Sequence, residues 1–555
     1  MKDKRKIKME FSIPVTRKGK AAFIVTTIMV LYIIFYLSYG FIAIVSGFAE
    51  WWASLSISVK IGVVLIVVGL ILMIIWSIWK IKTVTEVLKN PDLKPILATK
   101  PVHRVMVLVA LGLIVAGLAF SIVAQLRTLD ASPYEINIVR LDTPINTSTA
   151  RLVPLHTAYA YAVSMLQTPT HTIYEEETYV YYLNGSIVYN WIIEPEGFWN
   201  AIKYSPQGVI FVNGSVYPPK VEIINRKLVW GLHNLQATPF YLNNLYREIK
   251  VRVGFDKRVL MDCNIEIMYN DKIYILVPIA TWRVTMFTSV PVLYGYAVVS
   301  EDGNIEILNV DQARNDPRFK NIPLVPDVIA REWTEIYKWY TGVGEVILRH
   351  NTYEIRDVGR NPQPYLMVDE KGRPYWVFIV EPPGQTYAAR YIFYVDASNP
   401  EPHIMIYTLP EPVMGISKVE SIIKQAHPTY DWEQFEIAEP LPILINGKLY
   451  WKVTVITKDG RGLVSIDLVD TETNQVLSLT PTGKVTMTKV LTEFQIIEIP
   501  ENVTKPPTTL QEIIERIEQI KQKIKEYQQE LDQLYQELDQ LQQILEEITT
   551  NETKT

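Results

Sequence analysis

Hydrophobic and polar positions fall into three regimes along the chain. From Ala21 to Ala49, Ile61 to Trp79 and Val105 to Leu126 the sequence carries no charge for 29, 19 and 22 residues. About twenty apolar residues at about 1.5 Å each cross a hydrocarbon core of about 30 Å, so the pattern predicts three transmembrane helices. The first is longer than one straight crossing needs; either it tilts or its end leaves the lipid. A cleaved signal peptide ending near Gly47-Phe48-Ala49 is the competing reading, but its apolar core would be only about 7 to 15 residues long.

From Arg127 to about Asn502 the period shortens to two, in short alternating strands broken by Gly, Asn, Asp and Pro. That is the signature of antiparallel hairpins. From Leu510 the period lengthens again. Leu510, Ile513, Ile517, Ile520, Ile524, Tyr527, Leu531, Leu534, Leu538, Leu541, Leu545 and Ile548 alternate four and three apart without a break. Spacing of 3.5 predicts a left-handed coiled coil over 508–548, about 58 Å long across its apolar seam. Pro506 and Pro507 stop what precedes it, and Thr509 with Glu512 forms a capping box that starts it. The seam mixes Leu, Ile and Tyr and holds no Asn, so dimer, trimer and tetramer all stay open.

Within the alternating region a motif recurs: a turn, a strand bearing aromatics, then further strands. The turns are Asn184-Gly185, Asn270-Asp271, Glu370-Lys371-Gly372 and Asn446-Gly447; the aromatics that follow are Tyr189 and Trp191, Tyr274, Tyr375 and Trp376, and Tyr450 and Trp451. These turn residues tolerate positive φ, as tight hairpins require. Helical patterns precede three of the sets, at 149–166, 326–344 and 416–426. The expected unit is one helix on a three- or four-stranded antiparallel sheet, an α+β layer. The expected divisions are a basic arm at 1–20, the membrane helices within 21–126, α+β units at 127–260, 261–320, 321–415 and 416–502, and the coiled coil.

Charge sets the orientation. Up to residue 104 there are 15 Lys and Arg against 5 Asp and Glu; beyond it there are 39 against 54. The basic residues cluster before the first apolar segment and between the second and third, while the loop between the first and second carries only Lys60. Positive charge stays inside, so the N-terminus is expected in the cytoplasm and everything after Leu126 outside the cell membrane. An acidic exterior argues against nucleic acid as a partner. Cys263 is the only cysteine, so no intrachain disulfide forms.

Five Asn-x-Ser/Thr sequons, at Asn146, Asn184, Asn213, Asn502 and Asn551, all follow the third apolar segment and are candidate glycosylation sites. Asn184 and Asn213 also read as plain turn residues. Catalytic motifs, metal-ligand spacings and nucleotide loops are not found, so no catalytic, metal or cofactor residue is assigned and no cofactor is expected. Glu175-Glu176-Glu177 and Glu301-Asp302-Gly303 could hold a hard cation, but a solvated run and a hairpin corner explain them equally.

The fourth unit, KVESIIKQA followed by GKLYWKVTVITKDGRGLVSIDLVDTETNQVL, resembles the PepSY or cystatin-like domains. Residues 320–500 are more broadly similar to uncharacterised prokaryotic membrane proteins, archaeal ones among them, with N-terminal membrane helices and such domains outside. The resemblance implies modules that bind other proteins or act as spacers. The expected function is therefore an integral membrane structural or interaction protein in the cell envelope, with the bilayer as one partner. Its coiled coil would join copies of itself or another coiled-coil protein. A ligand-binding receptor or regulatory subunit is the alternative, and an extracytoplasmic enzyme a second one.

Overall fold

The structure, a computed structural model, describes residues 44–89, 101–146, 151–175, 178–183, 185–231, 245–357, 363–369, 371–383, 388–445, 448–486, 490 and 521. The chain is α+β: two long apolar helices lead into a sheet-rich body. Helices α1 (Ile57–Lys89) and α2 (Pro101–Ala131) run antiparallel, Gly62 facing Gly117 and Gly69 facing Ala110. A Cβ added to Gly69 would lie 2.8 Å from the Ala110 carbonyl, and one on Gly117 would lie 2.8 Å from that of Gly62. Glycine is what allows the two backbones to approach this closely. Gly112 faces open space. The stretches Ile57–Lys82 and Val105–Glu135 are long and apolar enough to cross a membrane, and only 11% of the apolar window in each is buried inside the protein. The core helix of a soluble body would be covered on most sides.

Of the first apolar segment only 44–49 lies among the described residues, and there the chain is helical. Its end packs against the body: Gly47 and Glu50 line a cavity of about 370 Å³ with Tyr246, Met261 and Cys263, and Glu50 ion-pairs with Lys250. This last stretch of the segment is therefore held by protein.

After α2 a single tight turn leads into strand β1 (Asn137–Leu141). Then, four times among the described residues, a helix is followed by four strands paired antiparallel in chain order. The first set is α3 (Leu155–Met165) with β2 (Tyr179–Leu183), β3 (Ser186–Ile192), β4 (Gly208–Asn213) and β5 (Val221–Asn225). The second is α4 (Leu245–Val253) with β6 (Ile265–Tyr269), β7 (Lys272–Val284), β8 (Ser289–Ser300) and β9 (Ile305–Asn309). The third is α5 (Asp327–Tyr337) and the short α6 (Val343–Arg349) with β10 (Tyr365–Val368), β11 (Pro374–Glu381), β12 (Ala388–Asp396) and β13 (His403–Met414). The fourth is α7 (Ile416–Ala426) with β14 (Phe435–Ile445), β15 (Lys448–Thr457), β16 (Leu463–Asp470) and β17 (Val476–Leu479). Of the turns picked out in the sequence, Asn270-Asp271 lies between β6 and β7, Gly185 between β2 and β3, and Lys371-Gly372 between β10 and β11, while Asn184, Glu370, Asn446 and Gly447 lie outside the described residues. Asn270 and Asp271 adopt φ of 48° and 58° there, and Gly372 one of 79°.

The aromatics of the second strand have a shared job in three of the sets. Trp376 Nε1 donates to the Val325 carbonyl at 2.7 Å, and Trp451 Nε1 to that of Met414 at 2.8 Å, each acceptor lying two residues before its helix begins. In the first set Tyr189 does the same to Val153, two residues before α3, at 2.7 Å. All three rings are buried. A buried indole or phenol must satisfy its donor; here that need fixes where each helix enters.

Two sequence-stated divisions shift. Leu245 and Ile249 of α4 pack with Ile273, Ile275 and Ile279 of β7, so the second set already includes α4 from Leu245 and does not begin at 261. Strand β1, placed by the sequence with the first set, pairs in parallel with β13 from Asn137↔His403 to Leu141↔Tyr407 and so extends the third sheet. The sets are not separate domains: Tyr189, Leu276, Trp333, Trp376 and Phe393, from three of them, share one apolar core.

Candidate functional site

The sequence-stated sites scatter. Asn146 is exposed after β1. The amide of Asn213 is engaged in its own turn, Oδ1 accepting from Ser215 N at 2.8 Å and Nδ2 reaching Ser186 Oγ at 3.3 Å. Asn184, Asn502, Asn551 and the twelve seam positions from Leu510 to Ile548 lie outside the described residues. The acidic corner is a hairpin turn: Asp302 Oδ1 accepts from the Ser300 hydroxyl and from Asn304 N, and Glu301 Oε2 accepts from Ile273 N at 3.1 Å. No group of three or more His, Cys, Asp or Glu stands ready for a metal among the described residues.

What the fold does bring together is a cleft of about 330 Å³ beside the third sheet. Residues far apart in sequence build it. Arg140 of β1, Ile406 of β13 and Phe393 of β12 are cross-strand neighbours in one row. Tyr391 stands two positions from Phe393, hence on the same face of the strand. The opposite wall is Tyr337 at the end of α5, Tyr340 in the loop after it and Tyr353 in the segment after α6. Phe393 meets Tyr353 edge-on at 4.9 Å and Tyr337 at 5.8 Å, and Tyr337 and Tyr340 lie 5.1 Å apart. Tyr353 is pinned by donating to the Thr334 carbonyl at 2.8 Å. Burial pushes the Tyr353 phenol up; burial also raises that of Tyr337, opposed by the nearby Arg140 cation.

Arg390 completes the lining because the β12–β13 ladder breaks beside it. Ala389 pairs with Val413 and Tyr391 with Thr408, leaving Arg390 opposite Leu409–Pro412, a stretch with two prolines. Proline cannot donate to a ladder, and irregular pairing re-aims a side chain that strict alternation would send to the other face.

A second feature is fully enclosed. Arg151 Nε lies 2.5 Å from Glu439 Oε2, with the side chains 2% and 0% exposed. Glu439 Oε1 accepts from Leu155 N at 2.8 Å, at the start of α3. Lys452 Nζ, also buried, donates to the Arg151 carbonyl at 2.8 Å. Desolvation drives the Lys452 ammonium down to about 7, with Arg151 adding to the effect and Glu439 opposing it. Glu439 sits at a break in the β14–β15 register with φ of 48°, and the guanidinium of Arg151 lies 5.5 Å from the Tyr365 ring of the third sheet. The cluster thus clamps the first, third and fourth sets. Between the first and second sets, the Glu266 carboxylate does similar work by accepting from the amides of Asn190 and Asn264.

No protein-family model matches the chain, and no curated protein matches it. Among solved structures, the endo-arabinase from Bacteroides thetaiotaomicron VPI-5482 aligns over 60% of this chain and 84% of that one, at 10% identity and a TM-score of 0.16. A score that low carries neither fold nor activity across.

The third feature is the mount. The turn between β7 and β8 hydrogen-bonds the start of α1, Ile57 N donating to Thr285 O and Ser58 N to Met286 O, both at 3.0 Å. Ser56 and Thr128 hydroxyls meet at 2.7 Å between the helix ends, and Val343 N of α6 donates to Asp130 of α2 at 2.7 Å. Around these contacts apolar side chains stand out in the open: Met286 and Phe287 on the turn, Ile347 and Leu348 on α6, and Tyr134. Chemistry at the cleft and anchoring at the base were invisible to spacing rules, because neither is made from neighbours in sequence.

Proposed function

We propose that this chain is an integral membrane protein that holds its α+β body against the outer face of the cell membrane and works by binding other macromolecules, copies of itself first. The observation that carries the reading is the mount: main-chain hydrogen bonds tie the body to the start of α1, and the Asp130 carboxylate at the end of α2 accepts from Val343 N. A body fixed in this way holds its binding faces at a set height and tilt. In this reading the segment from Ala21 adds a third crossing, the N-terminus is cytoplasmic, and the heptads from Leu510 to Ile548 zip neighbouring copies together. Lipid already confines those copies, so a modest interface suffices. The exposed apolar side chains at the base support it, since they ring the ends of two helices that a bilayer would cover. The order of helix and four strands supports the likeness to PepSY or cystatin-like modules, and with it a binding role.

Two measurements test this. The mass of the detergent-solubilised protein should be a multiple of the chain mass, and should fall to the monomer when residues 506–555 are removed. Trp199→Cys, at an exposed position on the body, should react with a membrane-impermeant maleimide added to intact cells. Monomeric full-length protein, or labelling only after lysis, would overturn the corresponding half. A second reading, a ligand-binding receptor or regulatory subunit, is favoured by the cleft, which has walls and charges that the mount does not need.

A further inference from the structure

We propose that the cleft between the end of α5 and strands β1, β12 and β13 binds a small organic anion: a carboxylate carried on a ring. The claim deepens the receptor reading. Tyr337, Tyr340, Tyr353, Tyr391 and Phe393 supply ring faces and edges on both walls, and a cavity of about 330 Å³ admits one or two rings. The charges at its mouth all have one sign. Arg140 and Arg390 are exposed and make no ion pair among the described residues. Four other arginines of the body do have a carboxylate partner: Arg258 with Glu332, Arg283 with Glu401, Arg318 with Asp316 and Arg331 with Asp357. Among the described residues no Asp or Glu lines the cleft, and its remaining ammonium, Lys338, is held by Glu335 at 2.8 Å.

Aromatic walls alone would also suit a quaternary ammonium, but two unpaired guanidinium groups repel one. A neutral apolar ligand would leave both arginines unused. A guanidinium offers parallel N–H donors that match the two oxygens of a carboxylate. The broken ladder at Arg390 strengthens the case, because the fold departs from regular pairing at the residue that would reach the acid. A sugar acid and an aryl or alicyclic acid share this chemistry, and the experiment separates them.

Full-length protein in detergent is titrated calorimetrically with galacturonate, galactose and cyclohexanecarboxylate. Galacturonate is expected to bind at least about tenfold more tightly than galactose, the worth of one charge-assisted contact. Cyclohexanecarboxylate binding as well as galacturonate points to a non-sugar acid, and weaker binding points to a sugar acid; either supports the proposal. Arg140→Gln and Arg390→Gln should each reduce acid binding about tenfold, the double variant should erase the preference for acid, and Arg314→Gln, on an exposed remote arginine, should change nothing. Unchanged thermal unfolding of the variants confirms that they fold. Equal binding of acid and neutral sugar, acid binding untouched in the double variant, or no binding of any probe would overturn it. Galactose binding that Tyr340→Ala abolishes, with no acid preference, would discard the anion while leaving the receptor reading standing.

Discussion

Replacing Glu439 by Gln tests the enclosed clamp with little change of shape. The amide oxygen can still accept from Leu155 N, so the start of α3 keeps its partner. What disappears is the charge facing Arg151 at 2.5 Å and offsetting Lys452. For unit charges about 4 Å apart at an effective dielectric near 20, each such attraction is worth about 4 kcal/mol. Removing one partner of a buried pair costs about 3–5 kcal/mol, because the other charge stays enclosed and unmatched. Part of that is recovered when Lys452 gives up its proton, its ammonium having been driven down to about 7 already. The expected loss is therefore about 3 kcal/mol, which for a body of this size lowers Tm by about 4 °C. The assay is thermal unfolding in detergent of the wild type, Glu439→Gln, Arg151→Met and the double variant. The double variant should be more stable than the sum of the single losses by about 2 kcal/mol, because it removes both charges at once. A single-variant loss below about 1 kcal/mol, or strict additivity, would refute the claim that these charges sit in a low-dielectric clamp.

Stability should also rise with pH through Lys452. Its folded pKa, about 7, lies below the ordinary lysine value of 10.5; between those values the unfolded chain holds a proton that the folded chain lacks, so unfolding becomes harder as pH rises. The gain from pH 7 to 9 is about 2 kcal/mol, read as rising Tm, and Lys452→Met should flatten it. In the helix pair, Ser56→Cys with Thr128→Cys should crosslink on mild oxidation, since the wild-type hydroxyls meet at 2.7 Å; adding Gly62→Leu should block the crosslink, because its Cβ would press on the Gly117 carbonyl. Environment-sensitive probes attached to Phe287→Cys and Leu348→Cys should report lipid contact in nanodiscs, while one on Trp199→Cys reports water. Equal hydration at all three would detach the base from the bilayer. Cys263 is buried and should stay unlabelled in these proteins.

Much of this architecture could be read from the residues in order. Charge-free runs mark α1 and α2, and alternation with positive-φ turn residues marks the first hairpin of every set, because both signals are local: a side chain's neighbours one to four positions away decide them. Even the aromatics after each turn were visible, though not that Trp376, Trp451 and Tyr189 would reach back to their own helix starts. Helix α4 escaped notice because LYREIKVRV is short and offers too few apolar positions to establish a period.

Tertiary structure alone decided the rest. Periodicity says that a face is buried but not against what, so neither the parallel pairing of β1 with β13 nor the meeting of Arg151 with Glu439, 288 positions apart, could be inferred. The same holds for the helix contact, where the rotation of each helix about its axis brings Gly62, Gly69 and Gly117 to the shared face. The cleft is the clearest case: Arg140, Tyr353, Arg390 and Phe393 carry no motif, and only chain closure and packing bring them to one cleft. Local sequence determines which segments form helix and strand; the free energy of burying distant surfaces together determines which of them become a site.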